Sequence, residues 1–154
     1  MLIILVLFSL IFGIGIGTII TVFRCGKKLD SITRERDKYR RYAEISDRMI
    51  MSEYKDGTLS TYISVHHIKK VAVYGMGSMG HSLCEILKKH GLDIVYVMDQ
   101  EDGALYQECP ICTFEDDLPE VDIVIITPVH ALDSIRKSFE NKGVYNAMSI
   151  EEII

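Results

Sequence analysis

Val71-Ala-Val-Tyr-Gly75-Met-Gly-Ser-Met-Gly80 is the stretch on which the fold turns. Its first four residues are apolar and partly β-branched, as in a short buried strand. Three glycines follow at once, and then Met79, Leu83, Ile86 and Leu87 recur at helical spacing. Gly91 stands just past this helix, in the usual C′ place. Ile94-Val-Tyr-Val-Met98 is a second apolar run and ends on Asp99. The order is strand, glycine turn, helix, strand, which is a βαβ unit with its glycines at the first turn.

Each glycine has a separate expected task in such a turn. Gly75 permits the tight bend, Gly77 lets a phosphate approach the backbone, and Gly80 lets helix and strand pack closely. The helix opening at Ser78 and Met79 offers free N–H groups and the positive end of its dipole to an anion. Asp99 lies 19 residues after Gly80, where an acid can hold ribose hydroxyls. Gln100, Glu101 and Asp102 supply no cation for a 2′-phosphate, so NAD or a non-phosphorylated nucleoside fits better than NADP. Thr127, at the end of a later strand, completes the expected cofactor-binding set of Gly75, Gly77, Ser78, Met79, Gly80, Asp99 and Thr127.

The alternation continues to the end of the chain. Residues 111–114 make a short strand and 121–127 a buried one, while Leu132, Ile135 and Phe139 mark a helix closed by Gly143. A fifth strand is expected over 144–148, and Ser149-Ile-Glu-Glu152 is a capping box opening a last helix. Right-handed crossovers then give a small Rossmann-like α/β fold with a parallel sheet in the order 3-2-1-4-5.

Upstream, residues 1–23 carry no charge, which predicts a transmembrane helix. Arg24, Lys27, Lys28, Arg34 and Arg36 follow it and predict a single pass in a cell membrane, with the amino terminus outside and the rest cytoplasmic. Ser9, Gly13, Gly17 and Thr21 recur every four residues, a face on which another membrane helix could pack. Residues 24–54 read as a juxtamembrane helical stalk with acid-to-base pairs at i,i+4, as in Asp30/Arg34 and Asp37/Arg41. Leu29, Ile32, Tyr39, Ala43 and Ile50 give a 3-4 apolar spacing that allows a dimeric coiled coil, but Arg36 and Ser46 interrupt the seam, and a single solvated stalk is the expectation. The nucleotide-binding domain is expected over 55–154.

Charge narrows the partners. Residues 24–70 hold 12 Lys and Arg against 7 Asp and Glu, and residues 71–154 hold 5 against 15. The basic half suits a lipid bilayer surface. The acidic half lacks what counterion release requires, so no nucleic acid is expected. Four cysteines, irregularly spaced, read as reduced thiols. Cys109-Pro-Ile-Cys112 is a CxxC without a second Cys/His pair, so no metal site is expected. His130 follows the fourth strand and is a weak catalytic candidate. His81 stands beside the glycine loop.

The run 71–80, Tyr-Val-Met-Asp99, Leu118-Pro-Glu-Val-Asp-Ile-Val-Ile-Ile-Thr-Pro128 and the closing Ser149-Ile-Glu-Glu-Ile-Ile154 together resemble Rossmann-like nucleotide or nucleotide-sugar binding domains of bacterial surface-polysaccharide loci. The resemblance covers about 55–154. It implies a nucleotide-type ligand at the carboxyl ends of the strands, glycosyltransferases as neighbours, and a setting in cell-envelope glycan synthesis. An accessory binding module without independent catalysis is the first expectation. An NAD-dependent oxidoreductase or epimerase acting on a nucleotide sugar is the second, and a scaffold or regulator with a vestigial pocket the third.

Overall fold

The computed structural model describes residues 2–99 and 109–154, with side chains from Ile16 on, Ile19 and Asp56 apart. Two compact units are distinguished, Met1–Arg41 and Tyr42–Ile154. Helix α1 runs over Leu2–Met51 and passes into a π-helical turn at Ser52–Asp56. Among the described residues, no helix is long and apolar enough to cross a membrane.

That finding corrects the transmembrane helix expected over 1–23, and with it the single-pass localisation and the facing of the two ends. In place of a bounded span, α1 is one continuous helix from Leu2 to Met51. Arg24, Lys27 and Lys28 lie within that same unbroken helix. Of the small-residue face, Ser9 and Gly13 lie outside the described side chains, and the Thr21 hydroxyl donates to the Gly17 carbonyl at 2.8 Å.

The second unit is α/β. After α2 (Thr58–Val65) come β1 (Lys70–Tyr74), α3 (Ser78–Lys89), β2 (Asp93–Met98), β3 (Ile111–Cys112), β4 (Ile123–Ile126), α4 (Leu132–Asn141), β5 (Ala147–Ser149) and α5 (Ile150–Ile153). The five strands form one parallel sheet in the order β3-β2-β1-β4-β5, as the crossover rule predicts. Such strands are buried on both faces, which explains why the sequence shows apolar runs rather than alternation.

Period two along the strands still assigns each side chain to a face. Val71, Val73, Val97, Ile123 and Ile125 share one apolar cluster with Leu83 and Leu87 of α3, Leu59 of α2, and Ile150 and Ile153 of α5. Ala72, Tyr74, Tyr96, Met98, Val124 and Ile126 share the other with Ile135 and Phe139 of α4. Helices α3 and α4 therefore cover opposite faces. The chain leaves β1 in one direction and β4 in the other, so a switch point opens between their carboxyl ends.

Ile45 and Met49, near the end of α1, are 1% and 2% exposed and belong to the first cluster with Met76 and Val129. Burial of two such side chains contributes roughly 3–6 kcal/mol before entropy is counted. The last turns of α1 are thus part of the folded core.

At the amino end of the sheet, Asp122 accepts from the backbone N–H groups of Lys69 (2.7 Å) and Lys70 (2.8 Å). These bonds favour the charged carboxylate, holding its pKa below the usual value. A depressed folded-state pKa contributes stability that is present above the unfolded value and lost as pH falls through the folded one. Asp122→Ala is therefore expected to destabilise the chain at neutral pH. Its deficit against wild type should shrink as pH falls below ~4, where the unfolded carboxylate protonates, and go on shrinking toward the lower native value. Urea denaturation of both chains at pH 7 and pH 3 measures this; an undiminished gap at pH 3 contradicts it.

Candidate functional site

The site is built from two loops at the carboxyl edge of the sheet. Gly75 continues the β1 ladder, its N–H donating to the Met98 carbonyl at 2.8 Å. It then turns at φ +93°, a conformation that L side chains rarely adopt. A β-carbon there would stand 2.6 Å from both Pro128 Cδ and Thr127 Oγ1. The glycine loop is thus seated directly against the loop after β4.

Thr127 locks the two loops together. Its hydroxyl donates to the Gly75 carbonyl at 2.8 Å, and its backbone N–H to the Tyr74 carbonyl at 3.0 Å. The side chain is 4% exposed. With its one proton committed, the hydroxyl can only accept from any ligand. Asp99 grips the same loop from β2, Oδ2 accepting from Met76 N–H at 2.6 Å. A carboxylate offers about four acceptor positions, so this bond is compatible with a ribose hydroxyl on the others. Gln100, Glu101 and Asp102 lie outside the described residues.

Helix α3 opens with Gly77 as N-cap and has no side-chain cap. Its first backbone bond within the helix runs from His81 N–H to the Gly77 carbonyl at 3.0 Å. The N–H groups of Ser78, Met79 and Gly80 precede it and point beyond the helix end, the arrangement that receives anions. Met79 contributes only its backbone there, because its side chain is 7% exposed and packed in the core. Ser78 is exposed and His81 half-buried.

The three glycines divide sharply by what surrounds them. At Gly80 a β-carbon would lie 2.0 Å from the Gly75 carbonyl oxygen. At Gly77 it would meet nothing within 4 Å, and the backbone, at φ −67° and ψ −172°, is open to any residue. Packing explains Gly75 and Gly80. Nothing in the described surroundings of Gly77 requires glycine.

Sequence reasoning did not find Tyr42. It was assigned to a stalk, yet its hydroxyl lies 2.7 Å from His130 Nδ1, and the two rings meet edge-on at 6.0 Å. The signal was there in Tyr42, Ile45 and Met49, which share one face at spacings of three and four. Burial pushes the Tyr42 phenol up, so the hydroxyl keeps its proton and can donate to Nδ1 or accept from it, according to the tautomer of the ring. The contact holds His130 beside the switch point.

The same geometry bears on two other features. A groove of about 470 Å³ runs along α3 between Ser78 and Lys89, walled by Met49, Ile50, Met79 and Ile86. Glu53 also lines it, paired with Lys89 (2.6 Å) and His90 (2.7 Å), which together hold the Glu53 carboxyl below its usual range. Cys109 and Cys112 are not joined in a disulfide. Burial first, and then the charge of Asp116, push the Cys112 thiol up, the opposite of an activated nucleophile. Among the described residues no His, Cys, Asp and Glu side chains converge as a metal site.

Compared with protein-family models, curated proteins and solved structures, the chain finds no match.

Proposed function

We propose that the chain is a binding module for a nucleotide-type ligand, NAD or a nucleotide sugar, held at the switch point between the glycine loop and the loop after β4. The observation that carries this reading is Gly77. It is exposed, conformationally ordinary and surrounded by open space, while sitting at the uncapped start of α3. A glycine that no neighbouring atom requires at that place fits close approach of a phosphate to the backbone.

The charges around the loop refine the ligand class. Asp99 stands against Met76 N–H, so the loop presents a negative group beside its anion-receiving helix end. A bare inorganic phosphate is disfavoured by that neighbour. A phosphate joined to a neutral sugar satisfies both, since its hydroxyls can donate to the carboxylate while its oxygens face the helix. A role beside glycosyltransferases in envelope polysaccharide synthesis rests on the resemblance of the glycine run and of residues 118–128.

Thermal denaturation of the full chain with NAD, nucleoside diphosphate sugars and S-adenosylmethionine tests the reading. A ligand at a hundred times its Kd adds about 2.7 kcal/mol of stability. A rise of the midpoint with NAD or a sugar nucleotide, and none with inorganic phosphate, is expected. No rise with any of them at millimolar concentration contradicts it.

A further inference from the structure

We infer that α1 pairs in parallel and in register with α1 of a second copy of this chain. Over Val22 to Ala43 the helix carries a seam whose a positions are Val22, Leu29, Arg36 and Ala43 and whose d positions are Cys25, Ile32 and Tyr39. Val22 is 72% exposed, Leu29 65%, Ile32 53% and Tyr39 70%, and Cys25 is exposed as well. Scattered apolar residues on a surface need no explanation, but a stripe repeating at 3-4 spacing for three heptads is the form that a partner helix covers.

Charge identifies the partner as a second copy. In this register Glu35 falls at g and Arg40 at the following e, the two positions that face each other across a parallel pair. Two copies in register therefore place Glu35 against Arg40 of the partner twice, once on each side. The polar a position is handled locally: Arg36 turns to Asp37, with Nη2 at 3.0 Å and Nε at 3.2 Å from Oδ1, which draws the guanidinium off the seam. One polar residue at a single a position fixes register at a cost in stability.

Cys25 makes the arrangement measurable, because facing d positions of a parallel pair bring two Cα atoms within the roughly 7 Å that a disulfide requires. The full chain is oxidised with copper phenanthroline at limiting concentration, and the linked cysteines are mapped. A dimer joined Cys25 to Cys25 is expected. Glu35→Arg should lower its yield about tenfold, since two attractive pairs become two repulsive ones, and Glu35→Arg with Arg40→Glu should restore it. Both positions are exposed, so the variants leave the folded core untouched. Absence of the Cys25 link, equal yield in Glu35→Arg, or no recovery in the double variant overturns the pairing. Association through the apolar amino-terminal turns alone would give the second of these results.

Discussion

Gly80→Ala is expected to remove most of the stability of the α/β unit, about 3–5 kcal/mol. Alanine in a helix interior gains about 1 kcal/mol over glycine. That gain is outweighed, because the methyl would lie 2.0 Å from the Gly75 carbonyl oxygen and 3.0 Å from its carbon, both backbone atoms. Relief requires α3 to slide from β1 or the Gly75 peptide to rotate. Rotation breaks the bond from the buried Thr127 hydroxyl, and sliding opens the cluster around Leu83 and Leu87, both fully buried. Overpacking by a single methyl in such a place costs at least 1–3 kcal/mol before the lost bond is added. Thermal denaturation followed by circular dichroism should show the midpoint falling by roughly 10 °C or more; a change within a few degrees contradicts the packing described.

Phe139→Ala should destabilise by about 3–5 kcal/mol. The ring is fully buried on the face that α4 covers, and it meets Tyr74 edge-on at 5.7 Å and Phe114 at 4.9 Å. Truncation leaves a cavity under the sheet and removes two aromatic contacts, each worth about 0.5–1.5 kcal/mol beyond burial. Phe139→Leu, which keeps most of the volume but loses both ring contacts, should cost less, about 1–3 kcal/mol. Urea midpoints should follow that order with unchanged slope; equal midpoints for the two variants contradict the role given to the ring.

The glycine run was legible because its information is local. Strand, turn and helix lie within twenty residues, and close packing at Gly80 is a property of that unit alone. Helix ends were equally legible: the N–H groups of Gly91 and Leu92 return to Lys88 and Leu87, and those of Gly143 and Val144 to Glu140 and Phe139. The box at Ser149 closes through Glu152 at 2.8 Å and Glu151 N–H at 3.3 Å.

What escaped the sequence depends on partners distant along the chain. The strand expected over 144–148 begins at Ala147, since Val144 finishes the preceding helix end and Asn146 donates to the carbonyls of Val121 (2.8 Å) and Asp122 (2.7 Å). The strand expected over 111–114 stops at Cys112, where the Asp116 carboxylate takes both the N–H and the hydroxyl of Thr113. Thr127 and Asp99 were placed correctly at strand ends, yet periodicity could not reveal that both grip the glycine loop. Tyr42 was hidden for another reason. The helix from 27 to 51 carries two apolar stripes, one through Leu29, Ile32 and Tyr39 and one through Tyr42, Ile45 and Met49, and spacing alone does not say which one meets the sheet. The uncharged 1–23 run misled in the opposite way, since length and apolarity alone suggested a span, whereas among the described residues no helix meets that requirement.

The most direct test of nucleotide binding at the glycine loop is calorimetric titration of wild type and Gly77→Ala with the ligand that raises the denaturation midpoint most. The space around Gly77 is open and its backbone ordinary, so the variant should keep its stability to within about 1 kcal/mol while binding falls at least roughly tenfold, about 1.4 kcal/mol. Equal affinity in the two chains, or heat from neither, would contradict a ligand at that backbone.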